Sequence, residues 1–92
     1  MNIKNKNITI IGGGVSGIGA AQLATYLGAN VFLSDNKIIN HNFKNDISYE
    51  EGEHTIKCYE CDFAIISPGI STNSTFFNEF KEKKIQLISE IE

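Results

Sequence analysis

The stretch Ile8-Thr9-Ile10-Ile11-Gly12-Gly13-Gly14-Val15-Ser16-Gly17 leaves this chain few folds to choose from. Apolar, mostly β-branched residues run into G-x-G-x-x-G, and Ile18-Gly19-Ala20-Ala21-Gln22-Leu23-Ala24 follows with the composition of a helix. Strand, tight glycine turn and helix N-terminus in that order form a cradle for a nucleotide diphosphate. Gly12 lets the chain turn sharply off the strand. Gly14 clears the space where phosphate oxygens approach the backbone, and Gly17 lets the helix pack close to the strand. The helix start then presents unpaired N–H groups and a partial positive charge to an anion.

The rest of the chain keeps alternating. A first strand is expected over 7–12 and a helix over 16–28, with Val15, Ile18, Ala21, Leu23, Ala24 and Leu27 as its apolar face and Gly28 as its stop. Val31-Phe32-Leu33 is a continuous apolar run, as in a strand covered on both faces, and places a second strand over 30–34. Residues 36–53 are rich in Asn, Asp, Glu and Lys and read as either a short helix or an irregular crossover. A short third strand is expected over 54–58 and a fourth over 62–67, stopped by Pro68-Gly69. A helix over 73–83, with Phe76, Phe77 and Phe80 on one face, leads to a fifth strand over 84–88. This pattern predicts an α/β fold: a single Rossmann-like domain over 1–92, with a parallel sheet of about five strands and flanking helices. Ligands of such sheets sit at the carboxyl ends of the strands.

Ninety-two residues suffice for one small core. With 41% hydrophobic and 21% charged residues the composition is that of an ordinary globular protein. No apolar run approaches the roughly 20 residues of a membrane helix, and the opening Met1-Asn2-Ile3-Lys4-Asn5-Lys6-Asn7 lacks the apolar core of a secretory signal. A cytoplasmic location away from membranes is the expectation. The net charge is −3, and the basic residues are all lysines without a stripe, so nucleic acid is not an expected partner.

Other chemistry is sparse. Cys58 and Cys61 form C-x-x-C between two expected strands rather than at a helix N-terminus, and His54 is the only further ligand nearby. They read as reduced structural cysteines, with no metal site. His41 and His54 read as exposed surface residues. Asp35, at the end of the second strand, stands where an acidic residue accepts hydrogen bonds from a ribose in dinucleotide folds; it also suits a local Asx turn. Glycine turn plus Asp35 therefore leaves open an NAD-binding module of a dehydrogenase or a redox or regulatory sensor.

Four stretches together say more. Ile10 to Gly17, Val31-Phe32-Leu33-Ser34-Asp35-Asn36-Lys37, Ile65-Ile66-Ser67-Pro68-Gly69-Ile70 and the closing Ile85-Gln86-Leu87-Ile88-Ser89-Glu90-Ile91-Glu92 resemble the N-terminal domain of the Mur ligases, most of all the D-glutamate-adding branch. The resemblance implies a domain that binds UDP-N-acetylmuramoyl-L-alanine. Gly14, Val15, Ser16 and Gly17 would hold the diphosphate. Asp35, Asn36 and Lys37 would hold the uracil, and Ser67, Pro68 and Gly69 would line the same pocket. Uracil presents one N–H donor between two carbonyls, an edge that a carboxylate and backbone N–H groups can read. Lys37 stands where some members carry arginine; it keeps the charge without the planar fork. Gly13 is an additional glycine and is expected to loosen the turn.

The resemblance also implies what lies elsewhere. ATP, Mg²⁺ and D-glutamate are handled by further domains in that family, and no G-x-x-x-x-G-K-[ST] occurs in this chain. The expectation is the first domain of a longer peptidoglycan-precursor ligase. It would bind without turnover on its own, with no catalytic residue and no cofactor in these 92 residues.

Overall fold

The computed structural model describes residues 2–39, 47–68 and 70–89. Strand β1 (Asn7–Ile11) runs into helix α1 (Val15–Tyr26), followed by β2 (Asn30–Asp35), β3 (Ser48–Glu51), a single 3₁₀ turn (Ile56–Tyr59), β4 (Phe63–Ile66), α2 (Thr75–Glu82) and β5 (Gln86–Ile88). The five strands form one sheet in the order β3-β2-β1-β4-β5, every neighbouring pair parallel. The expected α/β architecture is therefore the one observed.

The pleat sorts the core into two layers. Ile8 and Ile10 of β1, Val31 and Leu33 of β2 and Ile65 of β4 meet Ala21 and Ala24 of α1. Ile11, Ala64 and Ile66 point to the other face and meet Phe77 and Phe80 of α2. Successive strand residues point to opposite sides, so an unbroken apolar run serves both layers at once. Thr9 is buried in the centre of β1, and its Oγ1 donates to the Cys58 carbonyl at 2.8 Å, which ties the 3₁₀ turn to the sheet.

Two expectations are corrected here. The third strand lies at Ser48–Glu51, inside the segment read as helix or irregular crossover, and not at 54–58. β3 is an edge strand with little apolar surface, so it carries no hydrophobic run to reveal it. Residues 54–58 instead enter the 3₁₀ turn, which Thr55 caps by accepting from Lys57 N at 3.3 Å. The inner face of α1 also differs. Gly17, Ala21 and Ala24 are buried, whereas Val15 (92% exposed), Leu23 (48%) and Leu27 (49%) face outward. Small residues let the helix axis lie close to the sheet, and this spacing sets which face turns inward. Gly28, at φ +93°, follows the helix as the expected stop.

Candidate functional site

β1 is the pivot of the sheet, with β2 on one side and β4 on the other. The order of progress reverses there, and the carboxyl ends of the strands open into a crevice. Three segments enclose a cleft of about 400 Å³. The glycine turn contributes Gly12, Gly14, Val15 and Ser16; the loop after β2 contributes Asp35, Asn36 and Lys37; the turn after β4 contributes Ser67, Pro68 and Ile70. Its volume is in the range of small-molecule sites. Eight of the ten expected site residues thus line one cleft. Gly17 lies buried beneath the turn, and Gly69 lies outside the described residues.

The glycine turn is built by close approach. Gly12 has φ +108°, and its N–H donates to Ser34 O at 2.8 Å. A Cβ on Gly12 would lie 2.7 Å from Ser67 Oγ, and one on Gly17 would collide with the Gly12 carbonyl oxygen. Around Gly14 there is open space: a Cβ there would meet nothing within 4 Å. Gly14 is also the N-cap of α1, with no side chain to offer, and the first turn holds no acidic residue. The positive end of the helix dipole and its first N–H groups therefore face the cleft with no acidic side chain in the helix's own first turn.

Asp35 links two of the three segments. Its Oδ2 accepts from Gly13 N at 2.7 Å across the cleft, and its Oδ1 accepts from Lys37 N at 3.0 Å, closing a local Asx turn. One side chain thus fixes the glycine turn relative to the loop that follows β2. Gly13, expected to loosen the turn, is instead pinned by this bond, and a Cβ on it would come within 2.7 Å of Ile39. On the far side, Ser67 Oγ faces the Gly12 carbonyl at 3.4 Å, and Ile70 N returns to Ser67 O at 3.4 Å.

Behind the loop stands a support that sequence reading missed. Glu51 Oε1 accepts from Ile39 N at 3.1 Å, and Gly52 N donates to Lys37 O at 3.4 Å. Ser34 Oγ, fully buried, donates to Glu50 Oε2 at 2.6 Å and lies 2.7 Å from His54 Nδ1. Burial opposes the charge on Glu50, but donors from Ser34, the Thr55 hydroxyl and N–H, and the Cys58 thiol outweigh it and hold the carboxyl below its ordinary range. His54 is half-buried, not a free surface residue, and stacks on Phe76 with ring centroids 4.6 Å apart. Burial lowers its pKa against the pull of Asp35 and Glu50. Nothing in the polar, irregular spacing of 36–53 announces this arrangement. His41 lies outside the described residues.

The cysteines are free, as expected. Cys58 Sγ donates to Glu50 Oε2 at 3.3 Å, whereas Cys61 Sγ donates to the Cys58 carbonyl at 3.4 Å, so the two thiols serve different partners. Burial pushes the Cys58 thiol up to about 12, far from a reactive thiolate. Among the described residues, the group of ionisable side chains close enough to share an ion is Glu50, His54 and Cys58, whose sulfur and imidazole do not suit Mg²⁺.

A parallel sheet with a glycine turn, an uncapped helix start and a three-loop cleft at its switch point defines a Rossmann-like α/β domain. Residues 7–76 match the family model described as the MurD N-terminal domain, and the chain belongs to that family. Similar proteins carry the name UDP-N-acetylmuramoylalanine–D-glutamate ligase. The one from Pelodictyon phaeoclathratiforme is 39% identical over all of this chain and 21% of its own length. That from Elusimicrobium minutum is 41% identical over 97% of this chain and 20% of its own. That from Christiangramia forsetii is 42% identical over 95% of this chain and 21% of its own. The chain spans about a fifth of the length of these relatives.

Proposed function

We propose that this domain anchors the UDP end of UDP-N-acetylmuramoyl-L-alanine within an ATP-dependent ligase that adds D-glutamate to it. The observation that carries the reading is the convergence of three separated segments on one cleft, in a chain of the MurD N-terminal family.

Each segment has a task its chemistry suits. The bare N-terminus of α1, with the Ser16 hydroxyl beside it, receives the diphosphate. Asn36 and Lys37, with the backbone of their loop, receive the uracil, and Ser67 and Pro68 form the opposite wall. Asp35 spends a lone pair of each carboxylate oxygen on the backbone and keeps another for the ligand. It is both clamp and contact.

No group in this domain is assigned to bond making. In the reading proposed, ATP phosphorylates the substrate carboxylate elsewhere in the enzyme, leaving ADP, and the amine of D-glutamate attacks the acyl phosphate, forming the amide bond as the bond to phosphate breaks and inorganic phosphate leaves. ATP, Mg²⁺ and D-glutamate belong to the remainder of the ligase. The domain contributes position: contacts far from the reacting carboxylate hold it in place and lower the entropic part of the barrier.

The test is an amide chemical-shift titration of the domain with UDP and, separately, NADH. Saturable shifts at Gly14, Ser16, Gly17, Asp35, Asn36, Lys37 and Ser67 with UDP, and little response to NADH, are expected. Saturation by NADH with UDP silent would overturn the reading in favour of a dinucleotide module. D-glutamate-dependent phosphate release by the full-length enzyme tests the reaction itself.

A further inference from the structure

Glu50, His54 and Cys58 follow one another at intervals of four residues, the first near the end of β3 and the last in the 3₁₀ turn. Gly52, at φ +92°, turns the chain between Glu50 and His54. A carboxylate oxygen, an imidazole nitrogen and a sulfur from these three residues lie within 4.8 Å of one another. Pairing of β3 with β2 brings Ser34 to the same place: its Oγ is 2.6 Å from Glu50 Oε2 and 2.7 Å from His54 Nδ1. Cys58 Sγ stands 3.3 Å from that same Glu50 oxygen. Sulfur adds little to a hydrogen-bonded knot, because a thiol is a weak donor. Thiolate, imidazole and carboxylate together are the donors that zinc takes.

We propose that Glu50, His54 and Cys58 form a binding site for a divalent cation of the zinc class, with Ser34 Oγ beside the fourth position. The proposal does not depend on the reading of the ligand cleft. Neighbouring ligand atoms in a tetrahedral zinc site are about 3.3–3.6 Å apart. The separation of Cys58 from Glu50, 3.3 Å, already falls there, and side-chain shifts of about 1 Å supply the rest. Two ligands are oriented in advance. Thr55 donates to Glu50 from both its N–H and its hydroxyl, and the His54 ring stacks on Phe76. Sulfur and nitrogen donors select against Mg²⁺ and Ca²⁺, which take oxygen. Cys61, the other half of C-x-x-C, is not a member, because its thiol turns to the Cys58 carbonyl.

The charges balance. Burial opposes ionisation of Glu50, but its donors keep it a carboxylate, and burial keeps His54 neutral, the form that ligates a metal. The Cys58 thiol, pushed up by burial to about 12, keeps its proton until an ion arrives. Binding then exchanges that proton for the metal: the S–H bond breaks, a metal–sulfur bond forms and the proton leaves to water. The two positive charges of the ion offset carboxylate and thiolate, which relieves the burial penalty on the thiolate. Without the ion the same atoms form the hydrogen-bonded knot described above. With it, β3 and the 3₁₀ turn are clipped together around Ser34, whose carbonyl receives Gly12 N.

The probe is Co²⁺, followed by Zn²⁺, added to the metal-stripped protein. Cobalt is expected to give a thiolate-to-metal charge-transfer band that saturates at a single ion per chain and is bleached by zinc. Absence of the band at millimolar cobalt overturns the proposal. Cys61→Ser leaves Cys58 as the only cysteine and is expected to keep the band; its loss there overturns the assignment, and so does a band that survives Cys58→Ser. The Cys61→Ser result stands even where Cys58→Ser does not fold. Losing an outer partner of a metal ligand costs about 10–100-fold in affinity, so His54→Gln, which removes a ligand, is expected to weaken binding by at least about tenfold. An unchanged affinity removes His54 from the site and overturns the proposal. Zinc is expected to raise the melting midpoint of the native sequence, and Mg²⁺ to leave it unchanged. Equal responses to the two ions would show a non-specific charge effect and overturn the site.

Discussion

Gly17 and Asp35 carry the geometry of the cleft in different ways. At Gly17 a single methyl would run into the Gly12 carbonyl oxygen, and backbone cannot swing aside as a side chain can. Gly17→Ala is expected to cost about 3 kcal/mol, the upper end of overpacking penalties, read as a fall in the urea midpoint with unchanged slope. Asp35 acts by attraction. Asp35→Ala leaves Gly13 N and Lys37 N without their acceptor. Bonds to a carboxylate are worth about 1.5–3 kcal/mol each at most, and partial exposure moves this pair to the low end, so a loss of about 1–2 kcal/mol is expected in the same measurement. The larger effect is on ligand: with the clasp open, the glycine turn and the loop after β2 separate, and the UDP titration should weaken more than the folding midpoint.

β3 and the turn after it do for the β2 loop what α1 does for β1. Glu50, Ser34, His54, Thr55 and Cys58 form one hydrogen-bonded knot, and its charge state makes the fold acid-labile. The folded pKa of His54 lies below the ordinary imidazole value of 6.5, so the unfolded chain binds the extra proton first. Its contribution is intact above about pH 6.5 and is lost as pH falls below it. Glu50 lies below the ordinary carboxyl value of 4.5, so its contribution is present above that pH and lost as pH falls through the folded value. Both slopes have the same sign. Urea midpoints measured from pH 8 down to about pH 3 should fall in two stages, and His54→Gln should flatten the upper stage while leaving the lower one. A His54→Gln variant with an unchanged upper stage would show that another group titrates there.

Stability of the whole domain depends on two thin layers, one on each face of a five-stranded sheet. Phe80 is 1% exposed and touches the rings of Phe76, Phe77 and Tyr59, which gather α2 onto β4. Phe80→Ala is expected to cost about 3–5 kcal/mol. Domains of this size hold about 5–15 kcal/mol in total, so a thermal melt should show a large loss of midpoint or no transition. Placing the cleft at the switch point of the sheet also explains how residues as distant in sequence as Gly14 and Ser67 line one cleft: β1 and β4 are adjacent, and both deliver their following loops to the same end.

Strong local signals survived into the structure. The glycine turn, the apolar runs of β1, β2 and β4, the phenylalanine face of α2 and the stop at Gly28 each rest on short-range sterics or on periodicity, which a linear sequence carries in full. Three segments separated by 20 to 30 residues were expected at one place, and they line one cleft because parallel strands deliver their loops to one end. What the sequence left open depended on partners distant along the chain. β3 has no apolar run because it is an edge. Val15, Leu23 and Leu27 turn outward because Gly17 and Ala21 fit closest to the sheet. His54 is held in place because Ser34 and Phe76 reach it from separate elements. Such contacts pair residues by spatial neighbourhood, and only the packed sheet decides which neighbours those are.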